Sequence, residues 1–212
     1  MISLYIMGII LGILTGLLFK NTLFRGNSIP FIMELPAYRM PSLKTMLLHM
    51  WEKAKDFIQR AFTIIFIATI VIWFLQNFDF TFHLVEDSAN SMLAFLGSIL
   101  VPVFVPLGFG DWRCSTALIT GLTAKEAVVS TFAVLLKTGN ETALNQALTT
   151  LFTPLTAFSF LTFTLLYMPC VAAFAAVRRE IGTTLAIFSM SYQIVIAWVV
   201  SLLVFQVGRL FI

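Results

Sequence analysis

Two short stretches of this chain carry residues that could do chemistry inside an otherwise apolar sequence. The first, L-L-Y-M-P-C-V-A-A-F-A-A-V-R-R-E from Leu165 to Glu180, sets Pro169 before Cys170 and stops on Arg178, Arg179 and Glu180. Proline has no N–H to donate, so Pro169 frees a carbonyl one turn back and predicts a kinked or broken helix. Lipid tolerates a freed backbone group only where protein or a water-filled path satisfies it. A polarizable thiol beside that break is placed where a membrane protein would handle a solute. The second stretch, T-G-L-T-A-K-E-A-V-V-S-T from Thr120 to Thr131, interrupts an apolar block with Lys125 and Glu126. Ionisable groups at such positions are costly and usually have a partner or a task. On a continuous helix, Thr123, Glu126 and Ser130 share a face that could offer oxygen ligands to a cation. The alternative is that Lys125 and Glu126 form the water-exposed junction of two short half-helices.

The other chemical groups in the apolar blocks are few: Cys114, hydroxyls, and thioethers such as Met168. A sparse set of soft and hard ligands suits brief handling of a borderline divalent transition metal better than a closed structural site. Enzymatic chemistry finds little support. His49 and His83 fall in loops, no apolar block contains an aspartate, and neither a G-x-x-x-x-G-K-[ST] phosphate loop nor a Cys-x-x-Cys pair is present.

The elements that must position these residues are membrane helices. Of 212 residues, 59% are hydrophobic and 11% charged, against about 25% charged in soluble domains. The expected fold is all-α, a polytopic integral membrane protein read as one domain over residues 1–212. Six apolar segments are expected: Ile2–Phe19, Ala61–Phe78, Met92–Phe109, Cys114–Leu136, Leu151–Val177 and Thr183–Val207. Pro102, Pro106, Gly108 and Gly110 argue against a plain full-length helix within 91–136, so a broken or re-entrant hairpin is as compatible as a full crossing. The net charge of +3 is explained by basic loops beside spans, without nucleic acid. Lys20, Arg25, Arg39, Lys44, Lys53, Lys55 and Arg60 make the first loop cytoplasmic, whereas Asp79, Glu86 and Asp87 mark an external one. Parity then gives the first span an outward N-terminus with no charge before it. The chain is therefore expected to be a separately encoded or truncated C-terminal half of a longer protein, the alternative being a complete six-span protein with weak orientation signals.

Two further features concern packing. Ser42 can cap an amphipathic helix over 42–60. Its apolar stripe includes Leu43, Met46, Leu47, Met50, Trp51 and Ala54, bordered by basic residues as in a helix at the bilayer interface. Trp51 could be a mechanical elbow or a lever passing motion from a cytoplasmic partner into the membrane. Gly8, Gly12 and Gly16 repeat at four-residue spacing, the pattern that lets helix backbones approach closely, within the chain or in an oligomer.

Four segments in order closely resemble the C-terminal membrane region of the bacterial ferrous iron transport protein B (FeoB) family. They are P-F-I-M-E-L-P-A-Y-R-M-P, V-P-V-F-V-P-L-G-F-G-D-W and the two stretches described first. The resemblance covers essentially the whole chain and implies a multi-pass Fe²⁺ permease of the bacterial inner membrane, with a Gate-like region at about 61–180. It implies that Cys170 and Glu126 touch Fe²⁺ transiently, that Pro169 forms the break, and that Glu34 has a structural or metal role. No permanently bound cofactor is implied, and GTP would act only through an upstream domain. The implied partners are an upstream GTPase and first-Gate half, small cytoplasmic Feo accessory proteins, and the lipid bilayer. Two other readings stay open at this point: a Gate-type permease for an organic solute such as a nucleoside, and a non-transporting subunit or remnant.

Overall fold

Caps and breakers written into the sequence set where the helices begin and end. The computed structural model describes residues 2–23, 42–85 and 87–211, and its regular elements there are helical, with one isolated antiparallel bridge between Phe78 and Leu84. Glu34 lies outside the described residues, as do Arg25, Arg39 and Glu86. The chain divides into two units, Met1–Gln59 and Arg60–Ile212.

The first unit holds α1 (Ile2–Thr22) and the start of α2 (Leu43–Asn77). The Ser42 hydroxyl accepts from the Thr45 amide at 3.4 Å, so the expected cap is present. Trp51 is 70% exposed, and Leu43, Met46, Leu47 and Met50 are exposed with it. At Gly12 and Gly16 an added methyl group would meet no atom of the described residues within 4 Å.

In the second unit, Ser91 caps α3 (Met92–Phe104), its hydroxyl accepting from the Ala94 amide at 3.1 Å. A 3-10 turn, Val105–Leu107, then ends on Gly108 at φ 89°, a left-handed conformation that glycine adopts without a Cβ penalty. Asp111 accepts from the Arg113 amide at 2.8 Å and starts α4 (Trp112–Gly121). The two arms meet at a bend of 104°, so of the two alternatives left open by Pro102, Pro106 and Gly108 the broken or re-entrant one is present. There follow α5 (Ala127–Leu135), α6 (Glu141–Leu151), α7 (Pro154–Leu166), α8 (Val171–Ile181) and α9 (Thr183–Phe211). Thr153 and Thr156 form a reciprocal capping box at the start of α7, with Pro154 at the first helical position.

Among the described residues, three segments are long and apolar enough to cross a membrane: Ile2–Thr22, Pro154–Ile181 and Thr183–Phe211. The bent pair adds a fourth if it counts as one span, and Phe62–Asn77 is a shorter apolar helix. Among the described residues, length and composition thus give three or four of the six expected segments as candidate spans. The segment expected over Cys114–Leu136 is two short helices, because the chain leaves helical geometry between Gly121 and Ala127.

The core of this unit is aromatic. Phe109 and Phe160 meet edge-on at 5.2 Å, Phe104 and Phe163 at 5.3 Å, and Phe132 and Phe160 at 5.7 Å, each pair contributing about 0.5–1.5 kcal/mol beyond its buried area. Polar clasps then tie α7 and α9 to the turn after α3. Ser159 donates to the Leu107 carbonyl at 2.8 Å, Ser201 donates to the Ser159 carbonyl at 2.9 Å, and both serines are fully buried. Trp198 Nε1 donates to the Val103 carbonyl at 3.0 Å. Replacing Ser159 by valine orphans the Leu107 carbonyl and crowds the site. The expected cost is about 1–3 kcal/mol, read as a lower thermal midpoint of the purified chain in detergent; an unchanged midpoint would show that the clasp does not hold the fold.

Candidate functional site

The two chemical stretches meet in space at two facing helix breaks. One lies between α4 and α5, from Leu122 to Glu126; the other lies between α7 and α8, from Tyr167 to Cys170. The Val171 amide, the first of α8, donates to the Leu122 carbonyl at 2.9 Å, so the backbone of one break satisfies that of the other.

Pro169 creates the second break, and its consequence can be traced to one atom. In a continuous helix, residue 169 would donate to the carbonyl of Leu165. Proline cannot, and Lys125 Nζ donates to that carbonyl instead, at 3.1 Å. The ammonium thus stands at the carbonyl end of α7, where a cation is favoured by the helix dipole. It also lies 5.2 Å from the centre of the Tyr167 ring, within cation–π range. Gly121 allows the close approach: a Cβ there would come within 2.5 Å of Tyr167 Oη and 2.6 Å of a Val128 methyl.

Cys170 is the residue before α8, is partly buried and is not in a disulfide. Cys114 is also a free thiol but is buried in the core, on α4. Glu126 is exposed at the start of α5 and makes no capping bond with its side chain. The expected oxygen-bearing face of Thr123, Glu126 and Ser130 is not formed, because Thr123 lies within the break and does not share a helix with the other two. Thr123 and Ser130 instead donate back to the carbonyls of Thr120 and Ala127, at 2.7 and 3.0 Å. Among the described residues, no group of three or more His, Cys, Asp or Glu side chains could hold a metal ion.

Lys125 is legible in the sequence as a costly charge, but its partner, 40 residues away, is not. Tyr167 escapes sequence reasoning as a site residue; its position two residues before Pro169 is the available signal. A cavity of about 700 Å³ opens between α5, α6 and α7, lined by Val128, Phe132, Leu148, Phe152 and Phe160, with Lys125 at its edge. A second, of about 20 Å³, lies beside Pro169.

These features define an all-α, multi-pass membrane protein with paired helix breaks. The family model described as "Nucleoside recognition", Gate, matches residues 58–184, and that described as "Ferrous iron transport protein B C terminus" matches residues 1–53. The chain therefore belongs to the Gate family and corresponds to the C-terminal membrane region of the ferrous iron transport protein B type. It is 37% identical over 216 residues to the Fe(2+) transporter FeoB of Methanocaldococcus jannaschii and 39% identical over 216 residues to that of Staphylococcus aureus strain COL. It is 34% identical over 259 residues to an Fe(2+) transport protein A/Fe(2+) transporter FeoB fusion protein of Porphyromonas gingivalis. These matches cover 99%, 100% and 99% of this chain but 32%, 32% and 30% of the relatives. The chain thus spans about a third of the length of these curated relatives. No solved structure matches.

Proposed function

We propose that this chain is the C-terminal membrane half of a ferrous iron transporter, moving Fe²⁺ across the bacterial inner membrane together with an upstream GTPase and first-Gate half. The observation that carries the reading is the position of Cys170, at the point where two helix breaks face each other. Non-helical backbone at membrane depth is retained where it lines a path for a solute. A thiol beside backbone carbonyls offers Fe²⁺ a soft ligand among hard ones. Glu126, exposed beside the first break, would supply a carboxylate. The small number of ligands supports a passing contact, completed by groups from the upstream half. The relatives described above carry the name of an Fe(2+) transporter, which favours iron over an organic solute such as a nucleoside. GTP would act through the upstream half, and accessory Feo proteins would act on its cytoplasmic side. The test is uptake of radiolabelled Fe²⁺ in cells that carry the upstream half with or without this chain. Uptake only when both are present is the expected result; equal uptake without this chain would contradict the reading.

A further inference from the structure

We propose that the Lys125 ammonium is a tethered cation that closes the path between the two breaks, and that a divalent metal must displace it to reach Cys170. The inference rests on the transport reading above, and adds to it a residue that decides which cations enter. The carbonyl of Leu165 is left open by Pro169, and Lys125 Nζ donates to it at 3.1 Å. The Tyr167 ring flanks the same ammonium at 5.2 Å. A helix-end carbonyl and an aromatic face form a place for a cation, and the protein fills it with a cation of its own. Among the described residues no carboxylate pairs with Lys125, so no ion pair holds it there. A monovalent ion brings no more charge than the ammonium already present, which competes at the high local concentration of a tethered group. A divalent metal doubles the attraction to the carbonyl and adds a bond to the Cys170 sulfur.

A plain structural cap would also explain the hydrogen bond, and the experiment separates the two roles by charge. In the full chain with Cys114→Ala, so that Cys170 is the remaining thiol, modification is timed with cationic, neutral and anionic methanethiosulfonates of similar size. Lys125→Met and Lys125→Gln are each expected to raise the cationic rate relative to the neutral one by at least about tenfold, whereas Lys125→Arg keeps the original ratio. Gln retains a donor for the Leu165 carbonyl, so a cap alone would be rescued by Gln and not by Met. Equal acceleration with all three reagents, or rescue by Gln, would overturn the proposal. The assay contains no iron, so its failure is distinct from a failure of the transport reading, which the uptake measurement decides.

Discussion

Replacing Gly121 by valine is expected to cut Fe²⁺ uptake by the complete transporter to about a tenth or less and to lower the thermal midpoint of the chain, through overpacking of about 1–3 kcal/mol. The cause is local. A Cβ at this position would stand 2.5 Å from Tyr167 Oη and 2.6 Å from a Val128 methyl, closer than non-bonded atoms approach. Tyr167 is 5% exposed and stacks on Phe163 at 5.6 Å, so it has little room to yield. Moving it would draw the second break away from the first and take the aromatic face from Lys125. Gly121→Ala should show the same direction with a smaller loss. Wild-type uptake and midpoint in Gly121→Val would show that the two breaks need not touch.

Much of the site is legible in the sequence because breakers act locally. Pro169 marks its own break, and Pro102, Pro106 and Gly108 mark the bend before α4. The Ser42 cap and the basic stop at Arg178 and Arg179 are equally local. What stays hidden depends on chain segments far apart in sequence. The Lys125 bond to the Leu165 carbonyl and the Ser159 and Ser201 clasp join helices that no spacing rule connects. The face assigned to Thr123, Glu126 and Ser130 fails because helical periodicity does not carry through a break. The helix α6 has a readable signal, Leu144, Ala147, Leu148 and Leu151 at three- and four-residue steps. A search for spans passes over it, because the segment is too polar to cross a bilayer.

The central claim is that Cys170 meets the ion in the path. The most direct measurement is initial uptake of radiolabelled Fe²⁺ at limiting iron by the complete transporter carrying Cys170→Ser, beside Cys114→Ser. Serine keeps the shape and removes the soft ligand, so uptake by Cys170→Ser should fall at least about tenfold, while Cys114→Ser, altered within the core, should lose far less. Full uptake by Cys170→Ser, with the protein present in the membrane at normal levels, would contradict the claim.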